Sequence, residues 1–114
     1  HVYSLEIVHE LAEFAKRNLE RTGYASRVSV MERDGSLGYA EAAPYDRVLV
    51  TAGAPGIPPP LVEQLSVDGK IVIPLGGERF FQELVIGVKT ESGELRTSRM
   101  GGVAFVPLRG TYGW

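Results

Sequence analysis

The stretch Arg47-Val48-Leu49-Val50-Thr51-Ala52, followed by Gly53-Ala54-Pro55-Gly56, decides the fold of this chain. Its first part is a nearly continuous apolar run, which is typical of a parallel β-strand covered on both faces. The glycines and the proline then end the run and predict a loop at the carboxyl end of the strand. Open α/β sheets bind their ligands outside this end of the strands. The stretch therefore predicts a parallel sheet with a ligand crevice near Thr51.

The segments on either side alternate between strand and helix patterns. Before residue 47, we predict a strand at residues 2–5, an amphipathic helix at 7–21 that ends at Gly23, and a strand at 28–31. After it, we predict a short helix at 61–65 opened by prolines, a turn at Asp68-Gly69 and a buried strand at 70–75. Further strands are predicted at 83–89, 95–100 and 103–108. This order predicts a Rossmann-like α/β fold, a parallel sheet with an antiparallel carboxyl-terminal extension.

The usual opening of such a fold, a first strand, a glycine-rich loop and a first core helix, is not found in the sequence. Gly76-Gly77 does not replace that loop, because it follows a late strand and leads into another strand. In the strand order of this fold, the first strand lies between the strands at Val2 and Arg47. We therefore expect residues 1–114 to form a single partial domain. Its unpaired strand edges could associate with each other or with a complementary piece.

Composition and charge narrow the class of function. The 114 residues carry a net charge of −2, so no global basic field attracts nucleic acid or anionic lipid. The absence of cysteine excludes disulfides, thiolate zinc sites and a cysteine nucleophile. No apolar run reaches membrane-spanning length, and His1 and His9 lack metal-ligand spacing. We expect a cytoplasmic protein with no metal site that binds neither nucleic acid nor membrane.

Candidate site residues follow the predicted strands. Glu6 lies between a strand and a helix, where an acid accepts hydrogen bonds from ribose hydroxyls or simply stabilises the helix dipole; both explanations stay open. Asp34-Gly35 follows the next strand, where a carboxylate could accept from the adenine amine, although an Asp-Gly turn is the commoner use of this dipeptide. The small residues from Thr51 to Pro55 either keep a crevice open or only end the strand. No acid or base partner of Ser36 can be identified in the sequence, so we do not expect it to be a nucleophile, and no catalytic residue is identified.

Several short segments occur in one order along the chain. They are VYSLE at residues 2–6, AKRNL at 15–19, DGSLGY at 34–39, APYDRVLVTA at 43–52, PPPL at 58–61, GKIVIPLG at 69–76 and FVPL at 105–108. Together they resemble the protein-L-isoaspartate O-methyltransferases, a family of protein-repair methyltransferases, from the second core strand to the carboxyl terminus. The resemblance implies a Rossmann-like, S-adenosylmethionine-dependent methyltransferase fold.

The resemblance also implies a reaction and a site. A methyl group would move from S-adenosylmethionine to the α-carboxylate of L-isoaspartyl residues in damaged proteins or peptides, leaving S-adenosylhomocysteine. The implied cofactor residues are Glu6 for the ribose, Asp34 and Gly35 for the adenine, and Thr51. The implied substrate residues are Ala52, Pro55, Val106, Pro107 and Leu108, the last three holding the peptide in extended form.

Other functions stay open. The family's amino-terminal region, with its substrate-contacting serine and glycine-rich loop, has no counterpart in these residues, so we expect the isolated chain to be inactive. One alternative is a non-catalytic fragment of this fold that associates with itself. Another is an S-adenosylmethionine-dependent methyltransferase with a small-molecule or RNA substrate. A nicotinamide oxidoreductase is a distant third, because the dinucleotide fingerprint is absent.

Overall fold

The computed structural model describes residues 1–79 and 81–114, and the chain forms two compact units, His1–Gly35 and Ser36–Trp114. In the first unit, strand β1 (Val2–Glu6) leads into helix α1 (His9–Thr22), which leads into strand β2 (Val28–Glu32). β1 and β2 are parallel, with Glu6 opposite Glu32 at their carboxyl ends. Parallel strands need a crossover connection, and α1 provides it. This confirms the strand-helix-strand order predicted for the first third of the chain.

Helix α1 begins and ends close to the predicted positions. Val8 is its N-cap residue, in extended conformation, so the helix starts two residues later than the predicted residue 7. Gly23 ends it with φ of 84°, a left-handed conformation that glycine adopts without steric cost. The Tyr24 N–H then donates to the Leu19 carbonyl at 2.8 Å, which satisfies one of the last helical carbonyls.

The second unit contains a mixed sheet. After short 3-10 turns at Gly35–Leu37 and Ala40–Ala42, its elements are β3 (Tyr45–Leu49), α2 (Pro59–Gln64), β4 (Leu65–Gly76), β5 (Gln82–Lys89) and β6 (Leu95–Val103). The sheet order is β3-β4-β5-β6. β3 and β4 pair in parallel, whereas β5 and β6 add on antiparallel. The predicted parallel sheet with an antiparallel extension is confirmed.

The core of the second unit lies where α2 packs against the sheet. Leu61, Leu65, Ile71, Ile73 and Val85 are at most 6% exposed and form one cluster with Ala54. Ile71 and Ile73 alternate along β4, as expected for side chains on one face of a strand. Burying each large side chain contributes about 1.5–3 kcal/mol to the free energy of unfolding. Because Ala54 belongs to this cluster, the packing also holds the loop after β3 against the sheet.

Three sequence predictions are wrong in detail. The apolar run at 47–52 does not stay in strand conformation, because β3 ends at Leu49, and Leu49 is 72% exposed rather than covered on both faces. Asp68-Gly69 is not a turn before β4 but an irregularity within it, where Asp68 has φ of 66° and the register with β3 shifts. Residues 103–108 are not a strand, because β6 ends at Val103 and only Pro107 forms an isolated bridge.

Among the described residues, four strands keep one edge without a strand neighbour, namely β1, β2, β3 and β6. Within the described residues, β1 pairs with β2 alone and β3 pairs with β4 alone. Unpaired edges of this kind expose backbone donors and acceptors that another strand can use. Across the same part of the chain, no helix has the length and apolar character needed to cross a membrane.

Candidate functional site

The carboxyl ends of β1 and β2 carry the predicted acidic residues. Glu6 ends β1, and the Arg33 N–H donates to the Glu6 carbonyl at 3.1 Å just past the end of β2. Asp34 and Gly35 follow at once, and a Cβ built on Gly35 would lie 3.6 Å from the Leu5 Cβ. The structure therefore brings Glu6, Asp34 and Gly35, which we call the acidic edge, to the same end of the two strands, as predicted.

The Glu6 carboxylate has one oxygen engaged and one available. Its Oε1 accepts from the N–H of Val8, the N-cap residue of α1, at 3.1 Å. This is the helix-stabilising contact that the position predicts for an acid. Within the described residues, no hydrogen bond to Oε2 is found, so that oxygen can accept from a ligand hydroxyl. The two explanations of Glu6 therefore do not compete, because each uses a different oxygen.

Gly35 lies beside Asp34 at the acidic edge, and a side chain could be placed there without a clash. Its nearest neighbour, measured from an added Cβ, is in ordinary van der Waals contact, so the fold itself does not demand glycine here. Asp34 beside it is half-buried. A bare Cα next to a half-buried carboxylate suits a planar heterocycle with an amino group, because the ring can approach the backbone closely.

A histidine–glutamate pair next to the acidic edge was not predicted from sequence. The His9 Nδ1 lies 2.8 Å from the Glu32 Oε2, and both side chains are largely exposed. The hydrogen bond to Glu32, followed by the attraction of its charge, raises the pKa of His9 above its ordinary value of 6.5. In the described part of the chain, no group of three or more histidine, aspartate or glutamate side chains could hold a metal.

In the second unit, the loop after β3 joins the tail after β6. The Gly53 N–H donates to the Val106 carbonyl at 2.7 Å, and the Leu108 N–H donates to the Gly53 carbonyl at 2.8 Å. On its other side, the Ala54 N–H donates to the Pro74 carbonyl of β4 at 3.0 Å. The predicted substrate residues of both segments are thus brought together by Gly53 and Ala54, two residues that are fully buried.

The residues of this region that were predicted from sequence differ in exposure. Thr51 and Pro55 are exposed, and Ala52 is half-buried. Val106 is 71% exposed, while Pro107 and Leu108 are half-buried. An open cleft of about 460 Å³ runs beside the tail. Its lining residues are Glu78, Arg79, Ala104, Phe105, Val106, Pro107 and Arg109.

Gln82 holds the tail in place, and sequence analysis missed it. Its side chain is buried, and the residue is 3% exposed. The Oε1 atom accepts from the Phe105 N–H at 2.7 Å, and the Nε2 atom donates to the Gly77 carbonyl at 3.2 Å and to the Phe105 carbonyl at 3.4 Å. The available signal was a polar residue at the start of an apolar strand, five residues after a glycine pair.

The sequence model of the protein-L-isoaspartate (D-aspartate) O-methyltransferase family matches residues 1–113 of this chain. The chain belongs to this family. Protein-L-isoaspartate O-methyltransferases of Hyperthermus butylicus and Pyrococcus abyssi are each 56% identical to it, over 114 and 113 residues. The match covers 100% and 99% of the chain, but 47% and 52% of those proteins. The chain thus spans about half the length of these curated relatives.

Solved structures agree with this assignment to the methyltransferase family. A protein-L-isoaspartate O-methyltransferase superposes with a TM-score of 0.86 at 29% identity, covering 97% of this chain and 35% of the other. A candidate family member from Plasmodium falciparum, solved in complex with S-adenosyl-L-homocysteine, gives 0.81 at 25% identity, covering 96% and 52%. The predicted Rossmann-like methyltransferase fold is confirmed.

Ser36 has a structural position in this chain. It is fully buried, and its Oγ accepts from the Tyr112 N–H at 3.1 Å. A buried hydroxyl that satisfies a main-chain donor contributes to the packing of the carboxyl-terminal residues. This agrees with the expectation that Ser36 is not a nucleophile.

Proposed function

We propose that this chain is part of an S-adenosylmethionine-dependent methyltransferase that acts on the α-carboxylate of L-isoaspartyl residues in damaged proteins. One observation carries the proposal: the acidic edge brings a Glu6 oxygen that accepts no hydrogen bond in the described residues to the same end of two parallel strands as Asp34 and Gly35. Nucleoside ligands bind at this end of such strands. The relatives' shared name and the S-adenosyl-L-homocysteine bound by the Plasmodium falciparum protein support it.

The acidic edge would hold the nucleoside part of the cofactor. Glu6 Oε2 would accept from a ribose hydroxyl, and Asp34 would accept from the adenine amine, with Gly35 allowing the ring to approach. Thr51 is exposed after β3, and its role toward the cofactor stays a prediction from the resemblance. When bound, S-adenosylmethionine would supply a methyl group activated by its sulfonium. The methyl group would pass to a carboxylate oxygen as its bond to sulfur breaks, with S-adenosylhomocysteine as the leaving group, and no proton transfer is needed.

The loop and the tail would hold the peptide. Ala52 and Pro55 would contact it from one side, and Val106, Pro107 and Leu108 would keep it extended. An α-carboxylate has a pKa of about 3.5 and is ionised near neutral pH, so the site needs no general base. The task of the protein is to align the carboxylate with the methyl group, and such positioning can supply much of the rate enhancement.

Cofactor binding tests the first half of this proposal. S-adenosylhomocysteine is titrated calorimetrically into the chain and into a chimera that joins the amino-terminal half of the Pyrococcus abyssi relative to residues 1–114. Glu6→Gln should weaken binding to the chimera about tenfold to a hundredfold, because a charged acceptor is lost. Glu32→Gln, at the paired position of β2, is the matched control and should change binding less than twofold. No binding by either wild-type protein contradicts the proposal.

Methyl transfer tests the second half. The chimera is given labelled S-adenosylmethionine with a peptide that contains L-isoaspartate, and separately with the same peptide containing normal aspartate. We expect label only in the first peptide. Cofactor binding without transfer to the isoaspartyl peptide would instead favour a methyltransferase with a small-molecule or RNA substrate.

The unpaired edges of β1 and β3 favour a second candidate function for the isolated chain. A fragment that associates with itself through these edges would satisfy backbone groups that lack a strand neighbour in the described residues. Sedimentation equilibrium of the chain would then give a mass that rises with concentration. A constant monomer mass contradicts this candidate and leaves the methyltransferase proposal unaffected.

A further inference from the structure

We propose that Gln82 is a positioning residue for the substrate peptide: its carboxamide sets the backbone path of the tail, residues 104–108, against which the peptide is bound. The inference rests on the proposed function, because it assigns the tail to the substrate. It adds a residue that has no direct contact with the peptide and acts through Phe105.

The Gln82 side chain takes the place of a strand. β6 leaves the sheet at Val103, which is opposite Gln82 in the β5–β6 pairing. Beyond that point, the N–H and the C=O of Phe105 both bond to the Gln82 carboxamide instead of to a neighbouring backbone. A primary amide offers the same donor and acceptor as a peptide group, so it can replace one unit of a ladder.

The surroundings leave the carboxamide little freedom. Gln82 is 3% exposed, and a Cβ built on Gly53 would lie 2.9 Å from its Cδ. Its Nε2 also donates to the Gly77 carbonyl, which fixes which way the amide faces. No other unbranched side chain of this length carries both a donor and an acceptor at neutral pH, because glutamate is then ionised and only accepts. Glutamine at this position is therefore matched to its site.

The tail is fixed at two points. Gln82 holds Phe105, while Gly53 holds the Val106 carbonyl and the Leu108 N–H. Between these points, Val106 is 71% exposed and faces outward. Without Gln82, Val106 and Leu108 keep their contacts, but Phe105 loses the hydrogen bonds to its N–H and its carbonyl, and the peptide would have to order this part of the tail as it binds. Such an ordering cost lowers affinity for the peptide. Affinity for the cofactor should not change, because the acidic edge uses none of these groups.

Steady-state kinetics of the chimera test the proposal. Gln82→Met keeps an unbranched side chain of similar length but has no amide. We expect the KM for an isoaspartyl peptide to rise about fivefold to thirtyfold, the effect of losing one or two ordinary hydrogen bonds. The KM for S-adenosylmethionine and kcat should stay within twofold. A merely structural role would not separate the two KM values.

Gln64 provides the matched control. Its Oε1 accepts from the Tyr39 N–H at 2.9 Å, and its Nε2 donates to the Leu37 carbonyl at 3.0 Å, so Gln64→Met removes similar main-chain contacts from a different segment. The peptide KM of this variant should match wild type. If both variants raise the peptide KM equally, or if Gln82→Met leaves it unchanged, the proposal is wrong.

Hydrogen exchange of the full 114-residue chain separates this inference from the proposed function. Gln82→Met should speed exchange of the Phe105 amide, which donates to the Gln82 Oε1, and leave the β4 core at Ile71 and Ile73 protected as in wild type. Unchanged exchange at Phe105 would overturn the positioning role even if the chimera is an active methyltransferase. Faster exchange throughout β4 would mean that the variant is simply unfolded, and would also overturn the role as stated. A chimera that transfers no methyl group contradicts the proposed function instead.

Discussion

The same substitution, glycine to alanine, should have opposite effects on folding at Gly53 and Gly35. At Gly53, an added Cβ would lie 2.9 Å from both Cδ and Nε2 of Gln82 and 3.0 Å from its Cγ. Carbon atoms in contact prefer about 3.5–4.0 Å, so the side chain would have to retreat by roughly 0.5 Å or more. Gln82 cannot do this freely, because it is buried and bonded to Phe105 at 2.7 Å.

The expected cost at Gly53 is that of overpacking a buried site. Such substitutions lower the free energy of unfolding by about 1–3 kcal/mol. Each kcal/mol corresponds to roughly 4–8 °C in Tm for a small domain, so Gly53→Ala should melt at least about 4 °C below wild type. At Gly35, the nearest atom would be the Leu5 Cβ at 3.6 Å, an ordinary contact. Gly35→Ala should leave Tm unchanged or raise it slightly, because alanine restricts the unfolded chain.

For ligand binding, we expect the substitution at Gly35 to have the larger effect. Since the methyl group of Gly35→Ala would occupy the space proposed for the adenine ring, we expect S-adenosylhomocysteine to bind the chimera at least about tenfold more weakly, a loss of about 1.4 kcal/mol. Thermal and urea unfolding of the chain and titration of the chimera are the measurements. The reasoning is refuted if Gly53→Ala is as stable as wild type, or if Gly35→Ala binds the ligand normally.

Three further predictions concern single side chains. Lys89→Met should lower the free energy of unfolding in urea by about 1.5–3 kcal/mol, because the Lys89 Nζ donates to the carbonyls of residues 62, 63 and 65 at 2.8–3.3 Å. Lys70→Met, at an exposed lysine, is the control, and an equal loss in both variants would contradict the prediction. His9 should titrate above pH 6.5 by NMR, since Glu32 raises its pKa. The stabilisation from this pair is therefore complete below pH 6.5 and is lost as pH rises through the higher folded pKa of His9. The Tm advantage of wild type over His9→Gln should shrink over that pH interval. A measured His9 pKa at or below 6.5 would contradict this prediction. Asp68→Val should lower the free energy of unfolding by about 1–2 kcal/mol, because it places a β-branched residue at φ of 66°, whereas Asp68→Asn should be nearly neutral. If urea unfolding shows Asp68→Asn to be the less stable variant, the left-handed conformation at residue 68 is wrong.

The elements and the acidic edge could be predicted from sequence because their signals are periodic and topological. Apolar residues at helical spacing identify α1, and parallel strands must end at the same side of a sheet. Glu6 and Asp34-Gly35 are therefore brought together by any strand-helix-strand unit of this order. The roles of these residues toward a ligand, the single-domain assignment and the cytoplasmic location stay predictions.

The ends of strands β3, β4 and β6 could not be predicted, because the sequence does not show which group each backbone N–H or C=O bonds to. The apolar run at 47–52 indicates residues able to be buried, but the strand pairing of β3 stops at Leu49, and only the Val50 N–H continues, to the Val72 carbonyl. Asp68-Gly69 suits a turn and a bulge equally, since both need a left-handed residue. The apolar tail suits a strand, yet the partner of Phe105 is a side chain.

Gln64 and Gln82 solve the same structural problem at two segments. Each accepts from one main-chain N–H and donates to main-chain oxygen, and each packs against a glycine that an added Cβ would drive into its side chain, Gly38 for Gln64 and Gly53 for Gln82. A neighbouring strand would satisfy the same backbone groups but would occupy the whole edge of the segment. A side-chain amide satisfies a single unit and leaves the rest of the segment free to contact a ligand. We therefore expect such glutamine–glycine pairs at positions where this fold must hold a loop in place without covering it.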